Sequence, residues 1–304
     1  MKKIERQVYL NKLISYKDKS LIKVITGIRR CGKSTIMEIY RDWLKDSGVL
    51  PEQIVYLNFE DYDYYELRDP KKLYDYVRQK IQQDKMTYLF FDEIQEVTNW
   101  EKCINSLRVE MDCDIYITGS NARLLSGELA TVLGGRYVEF TIYPFSYAEF
   151  IELYKDIFPD VTDSVVFQKY LMLGGMPYLA NLHFVEEPSR QYLTDVYNSV
   201  VLNDVVKRNK IRDIDLLTRI VTYVIGNIGT TFAATSITKF LKNERRTIAT
   251  DTVLNYIQYC VSAYLFYQVK RQDIQGKRIL SSNEKYYMAD HGLREAVFGG
   301  NMRD

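Results

Sequence analysis

The sequence predicts an α/β protein with a mainly parallel sheet and helices on both faces, followed by a helical region and a smaller α+β module. Three observations carry this reading. Short apolar runs alternate with helix-like stretches from residue 21 to about 150, strand candidates are missing from 146 to 210, and an apolar stripe at helical spacing begins near 215. Runs rich in β-branched and aromatic residues, without internal alternation, suit strands buried on both faces. Their alternation with helices is the rhythm of a parallel sheet.

The predicted strands are LIKVIT (21–26), QIVYLNF (53–59), TYLFF (87–91), DIYITGS (114–120) and RYVEFTIY (136–143). Helix candidates between them include STIMEIYRDWLKD and PKKLYDYVRQKIQQ. Pro70 opens the second, in a first turn where its missing N–H costs nothing. Residues 146–210 read as helical, broken at GGMP (174–177). Leu216, Leu217, Ile220, Val221, Val224, Ile225 and Ile228 then form one stripe, a short helix spans Ser236 to Lys242, and Val253, Leu254, Ile257, Val261 and Tyr264 form a second stripe after KNERRT. LFYQVKR and KRILSS, on either side of the Gly-containing DIQGK, read as a hairpin. Three helices and a hairpin outline a winged helix. Domains are therefore expected at 1–150, 151–210 and 211–304.

Composition bounds the function. The 304 residues are 46% hydrophobic and 27% charged, enough apolar material for a sizeable core. A net charge of +1 gives whole-chain attraction to neither nucleic acid nor membrane. The four cysteines form no CxxC pair, and neither histidine, His183 or His291, lies near one. That argues against a zinc site or a histidine-based nucleophile, and for a reduced, cytoplasmic protein. The basic start MKKIERQVYLNKL lacks an apolar core to follow it, so it does not read as a signal peptide. No apolar run approaches the roughly 20 residues of a membrane span.

Chemistry concentrates in two motifs. Gly27, Ile28, Arg29, Arg30, Cys31, Gly32, Lys33 and Ser34 spell GIRRCGKS, which fits G-x-x-x-x-G-K-[ST], and Thr35 follows. The motif comes after a predicted buried strand and opens a predicted helix, as phosphate binding requires. Glycines let backbone N–H groups turn around phosphates, and the helix N-terminus adds partial positive charge. Lys33 is expected to reach the β- and γ-phosphates of ATP, and Ser34 to ligate Mg²⁺. The second motif is YLFFDE, residues 88–93. It describes a buried strand delivering Asp92, expected to hold Mg²⁺ through its water shell, and Glu93, expected to polarise the attacking water. Adjacent strand residues point in different directions, so the pair can divide these tasks.

With GIRRCGKST, FFDEIQ, ITGSNARLLSGELATVLGGRYVEF, PFSYAEF, GGMPYL and KYYMADHGLREAVFG, the chain resembles the AAA+ (ASCE-type) P-loop ATPases. The nearer resemblance is to a prokaryotic family in which such a domain precedes a domain of unknown function. The resemblance implies further roles. Asn58, ending the second strand, would hold the catalytic glutamate in check. Ser120 or Asn121 would sense the γ-phosphate or the water. Arg136 would act as an arginine finger across the interface of a homo-oligomer. Related ATPases carry a lid arginine near GGMP, where Tyr178 follows the proline here. This departure implies slow or partner-dependent hydrolysis. Similar proteins often continue into a restriction-endonuclease-like region, an activity expected to be absent from a chain ending at Asp304.

Residues 239–285 hold nine basic side chains against four acidic ones, clustered before the third helix of the module and around the hairpin. A winged helix meets DNA phosphates at these places, so Arg245 and Arg246 are candidate backbone contacts, and Asn255 and Gln258 candidate base contacts, on double-stranded DNA. The rival expectation is a nucleotide-controlled signalling or scaffold protein that docks a protein partner and turns over slowly.

Overall fold

Parallel strands need crossover connections, and the helices between the predicted strands supply them. A computed structural model describes residues 4–82, 85–122, 133–244, 246–273 and 278–298. Two compact units comprise it: residues 1–27 with 31–142, and residues 28–30 with 143–304.

In the first unit, β1 (Ile22–Thr26), β2 (Ile54–Asn58), β3 (Thr87–Asp92), β4 (Cys113–Gly119) and β5 (Tyr137–Thr141) lie in the order β2-β3-β4-β1-β5. All four pairings are parallel, and every predicted strand is present. The helices are α1 (Gln7–Ser15), α2 (Lys33–Asp46), α3 (Pro70–Lys80) and α4 (Trp100–Glu110). Asp69 caps α3 by accepting from the N–H groups of Lys71 and Lys72, with Pro70 in the first turn as predicted. Val24, Leu57, Leu89, Phe91 and Ile117 of the sheet form one core with Leu73 and Val77 of α3 and Ile104 and Leu107 of α4. Because all strands run the same way, their C-terminal ends share one edge, where ligands of open α/β sheets bind.

The sheet carries a buried ionic network toward its opposite edge. Lys23 and Asp114, both second residues of their strands, form an ion pair with essentially no exposure. Asp114 also accepts from the Asp18 N–H and the Tyr116 hydroxyl, each at 2.9 Å, and Tyr116 bonds the Tyr40 hydroxyl at 2.7 Å. Burial pushes the Lys23 ammonium down and the Asp114 carboxyl up from their ordinary values, while each partner opposes the shift of the other.

The second unit begins with α5 (Tyr147–Ile157), opened by a capping box in which Ser146 and Glu149 satisfy each other's backbone N–H. It continues through α6 (Asp163–Leu173), a 3₁₀ turn at Pro177–Leu182, and α7 (Glu186–Ser199), which runs into a π-helical segment, Val200–Lys207. After α8 (Ile214–Gly226) come β6 (Thr231–Phe232), α9 (Ala234–Asn243), α10 (Thr250–Ser262), β7 (Phe266–Asp273), β8 (Arg278–Met288) and α11 (His291–Phe298). The sheet order is β6-β8-β7, antiparallel throughout. Sequence reading missed β6, which is two residues long and has no periodicity to read.

The two motifs GGMP and ADHG, far apart in sequence, meet here. The buried Asp290 carboxylate accepts from the Gly175 N–H at 2.7 Å and the Leu293 N–H at 3.3 Å. A Cβ at Gly175 would lie 2.1 Å from the Phe145 carbonyl oxygen, and one at Gly292 would lie 2.1 Å from that of Leu173. The glycines are therefore packing requirements.

Removing one partner of the Lys23–Asp114 pair strands a buried charge. Asp114→Ala should cost about 3–5 kcal/mol, and Lys23→Met combined with Asp114→Leu should recover most of it. Equilibrium urea denaturation reads both.

Candidate active site

Residues 27–32 join β1 to α2, and Lys33 and Ser34 are the first two residues of the helix. Gly27 has φ 138°, and a Cβ there would lie 2.2 Å from the Ile142 carbonyl oxygen; Gly32, at φ 100°, is the N-cap of α2. Neither position suits another residue. Helix α2 has no side-chain cap and no acid in its first turn, so its N-terminal N–H groups and partial positive charge suit an anion. Lys33 is buried and donates from Nζ to the Gly27 carbonyl at 3.2 Å. Ser34 and Thr35 are half-buried in the first turn. Buried Arg6, which sequence reading passed over, donates to the Cys31 carbonyl at 3.0 Å and braces the loop. Cys31 is buried too, and burial pushes its thiol up, away from reactivity.

Arg29 and Arg30, predicted nucleotide contacts, have other partners. Arg29 Nε and Nη2 donate to the two oxygens of buried Asp204 at 3.1 and 3.4 Å, and Arg208 reaches the same carboxylate at 3.3 Å. The Arg30 guanidinium lies 5.6 Å from the centre of the Tyr192 ring. These contacts lie within the second unit, to which residues 28–30 belong. In this arrangement the loop offers phosphates its backbone and Lys33, not its arginines.

Asp92 and Glu93 end β3, and one hydroxyl on β4 positions both. Thr118 Oγ1 donates to Asp92 Oδ1 at 2.5 Å and accepts from the Glu93 N–H at 2.8 Å. The Tyr56 hydroxyl donates to Asp92 Oδ2 at 3.1 Å, and burial, with the adjacent carboxylate, pushes that phenol up. Glu93 adopts the left-handed region at φ 52°. Its Oε1 lies 3.8 Å from Lys33 Nζ, and its Oε2 accepts from Gln95 Nε2. Sequence reading gave Thr118, Tyr56 and Gln95 no role, although Thr118 lies in the ITGSN stretch and Gln95 in the FFDEIQ stretch that carry the resemblance, because a strand Thr, a strand Tyr and a turn Gln announce no chemistry by themselves. Among the described residues no cluster of three or more His, Cys, Asp or Glu could cage a metal. A Mg²⁺ ion shared between phosphates, Ser34 and Asp92 needs no such cage.

The residues drawn from the resemblance fall in several places. Ser120 and Asn121 follow β4 at the C-terminal edge and are buried, and the Ser120 hydroxyl has no partner among the described residues. Asn58 pairs in register with Asp92, but its Oδ1 accepts from the Glu60 N–H at 3.0 Å. It caps the turn after β2, while Gln95 is the group that donates to Glu93. Arg136 is exposed just before β5, where its carbonyl accepts from the Ile22 N–H at 3.0 Å. It thus lies about five strand residues, roughly 16 Å, from the loop edge. In the module, Asn255 and Gln258 are exposed on α10, opposite buried Val253, Ile257 and Cys260. Arg246 donates to Asp215 at 2.6 Å and lies 3.5 Å from Asp213. Arg245 lies outside the described residues.

An AAA domain model matches residues 19–151, and a model for a domain of unknown function (DUF8612) matches residues 165–304. An uncharacterised protein of Haemophilus influenzae is 39% identical over 299 residues, 97% of this chain and 74% of its own length. The uncharacterised protein MJ1544 of Methanocaldococcus jannaschii is 29% identical over 277 residues, 88% of this chain and 60% of its own length. The structure of the Walker-type ATPase PABY2304 of Pyrococcus abyssi superposes with a TM-score of 0.64 at 14% identity, covering 97% of this chain and 96% of that one. No helix among the described residues is long and apolar enough to cross a membrane.

Thr118→Val keeps the strand and removes the shared hydroxyl. It leaves one Asp92 oxygen and the Glu93 N–H short of a partner, a penalty of about 1–3 kcal/mol for a buried group. Thermal melts should detect that loss.

Proposed function

Since the chain belongs to the prokaryotic AAA+ ATPases that carry a C-terminal domain of unknown function, we propose that it binds ATP with Mg²⁺ and hydrolyses it. The observation that carries this is the approach of Glu93 to Lys33, 3.8 Å apart, beside an uncapped helix N-terminus. Backbone N–H groups of residues 27–34 cradle the phosphates, Lys33 takes the β- and γ-oxygens, and Ser34 with Asp92 holds Mg²⁺. The ion, when bound, neutralises charge on those oxygens. Glu93 orients the attacking water and accepts its proton. Ser120 or Asn121 contacts the γ-phosphate or the water, and Arg136 completes the site of a neighbouring copy in a homo-oligomer.

Residues 151–210 act on this reading as a lid and 211–304 as an effector module. The order helix, strand, two helices and hairpin over 214–288, with its three-stranded antiparallel sheet, supports a winged helix. Its partner is double-stranded DNA or another protein. Exposed Lys239, Lys242, Lys270 and Lys285, with Asn255 and Gln258, support DNA. The pairing of Arg246 with Asp215 and of Arg219 with Glu244 at 2.6 Å favours the second reading, nucleotide-controlled docking on a protein with slow turnover. Such pairs neutralise the turn before α10, where a DNA-binding winged helix needs free positive charge.

Lys33→Ala should weaken ATP binding at least about 100-fold by removing a charge-assisted hydrogen bond, and Glu93→Gln should bind ATP normally yet turn over at least about 100-fold more slowly. Calorimetry and steady-state kinetics separate the two; wild-type affinity in Lys33→Ala would sink the assignment.

For the module, retention of duplex DNA across a salt series is decisive. On the DNA reading, affinity falls steeply with salt, and Lys239→Ala/Lys242→Ala flattens the slope by about one unit for each phosphate no longer neutralised. Arg246→Ala instead lowers the melting temperature slightly, because its partners are Asp213 and Asp215. Absence of duplex binding at low salt would leave the protein-docking reading.

A further inference from the structure

The turn after Glu93 is built to bring one amide onto the carboxylate. Glu93 leaves β3 in the left-handed region, and a single 3₁₀ turn, Ile94–Glu96, follows. The Glu96 N–H bonds the Glu93 carbonyl at 3.1 Å and the Val97 N–H bonds that of Ile94 at 3.0 Å. Ile94 and Val97 are buried in the sheet core, so the turn is anchored at both ends. Gln95 between them is half-buried and donates from Nε2 to Glu93 Oε2. Its own Oε1 is buried with no hydrogen-bond partner among the described residues. A flip of the amide would set oxygen against the carboxylate, so the orientation is fixed by Glu93 itself.

That orphan acceptor weighs against a stabilising role. A buried acceptor without a partner costs stability, and an apolar side chain of the same shape would avoid the cost. Gln95 therefore has a local penalty whose counterpart is its hold on Glu93. The other carboxylate oxygen, Oε1, faces Lys33 at 3.8 Å.

We propose that Gln95 is the positioning residue for the catalytic base: it holds Glu93 Oε2, leaving Oε1 aimed toward the phosphate loop to receive the proton of the attacking water. The inference rests on the proposed hydrolysis. In that step the water oxygen bonds the γ-phosphorus and the bond to the β–γ bridging oxygen breaks. The electron pair of that bond stays on ADP, and the water's proton passes to Glu93. The lysine turns to the phosphates when they arrive, and the amide then keeps the carboxylate from swinging away.

The test is a double-mutant cycle on the full chain, with Gln95→Met as an isosteric side chain lacking the donor and Gln95→Ala as a second variant in case the first misfolds. Each is made alone and with Glu93→Gln, and ATP affinity, kcat and melting temperature are measured. The expected result is an about tenfold or larger fall in kcat, with ATP affinity unchanged and melting temperature equal or higher. In the Glu93→Gln background the substitution should have no further effect on kcat. Wild-type kcat in both Gln95 variants, with Glu93→Gln inactive, overturns this inference alone. So does an equal further fall in the Glu93→Gln background, which would mean that Gln95 acts elsewhere. Full turnover in Glu93→Gln removes Glu93 as the base and overturns the inference while hydrolysis stands; no turnover in the wild-type chain overturns the hydrolytic reading and the inference with it.

Discussion

One hydroxyl joins the sheet to its chemistry. Thr118 Oγ1 donates to Asp92 and accepts from the backbone of Glu93, so the two acids of β3 are held by a bond from β4. A hydroxyl can do both because it has one proton and two lone pairs. The arrangement works only if β3 and β4 are locked in register, with Phe91 opposite Ile117, and if β4 also pairs with β1, with Gly119 opposite Thr26. A one-residue slip would turn Thr118 to the other face of the sheet and leave Asp92 short of a bond. The buried Lys23–Asp114 pair ties β1 to β4 near the opposite edge of this sheet. Such a pair contributes little net stability but penalises any register that separates its charges.

Residues of the phosphate loop have side-chain partners within each unit taken by itself. Arg6 takes the Cys31 carbonyl, Lys33 takes that of Gly27, and Asp204 takes the Arg29 side chain. Asp204 sits on a π-helical segment, a local widening of the helix often found at functional positions. Its carboxylate, with almost no exposure, meets two guanidinium groups, from Arg29 and Arg208, the kind of partner that a buried acid needs. Residues 28–30 group with the second unit while Gly27 and residues 31–34 group with the first. The loop is thus common to both by chain connectivity alone, and a change in its backbone involves residues of each.

Much of this was legible in the sequence. The strands were visible because a buried parallel strand has no polar face to dilute its pattern, and the glycines and lysine of the loop because phosphate binding tolerates few alternatives. The Asp92–Glu93 pair was visible because acids at the end of an apolar run have no structural excuse. What stayed hidden depends on pairing across the chain. Nothing local marks Thr118 as the partner of Asp92, Tyr56 as its second donor, or Asp204 as the partner of Arg29, since register and tertiary packing create those contacts. The resemblance pointed to Asn58 as the residue holding Glu93, but its short side chain is engaged by the turn it ends, and a residue two positions beyond the glutamate has that contact instead. GGMPYL and KYYMADHGLREAVFG entered as separate stretches of the resemblance, because sequence cannot reveal that the backbones of Gly175 and Gly292 leave no room for a Cβ.

The C-terminal edge of the sheet is also where the chain breaks its own local rules. Glu93 sits in a conformation that costs an L-residue about 1–2 kcal/mol, and Gln95 and Ser120 each bury a polar atom that has no hydrogen-bond partner among the described residues. Arg30 of the loop also has positive φ. Elsewhere in the same sheet the rules hold: β1 and β3 are buried along their length, α3 is capped, and the buried charges near the far edge are paired. A sequence selected only for stability would relieve the edge first, because each violation there has a cheap apolar remedy. Left-handed residues occur elsewhere in this unit too, at Arg6, Asp18 and Asn99, but at this edge strain coincides with buried polar atoms that lack a partner among the described residues, and such a coincidence points to stability given up for function. By that reasoning the working part of this unit extends past the two acids of the motif, to the turn that follows them and the end of the strand beside them.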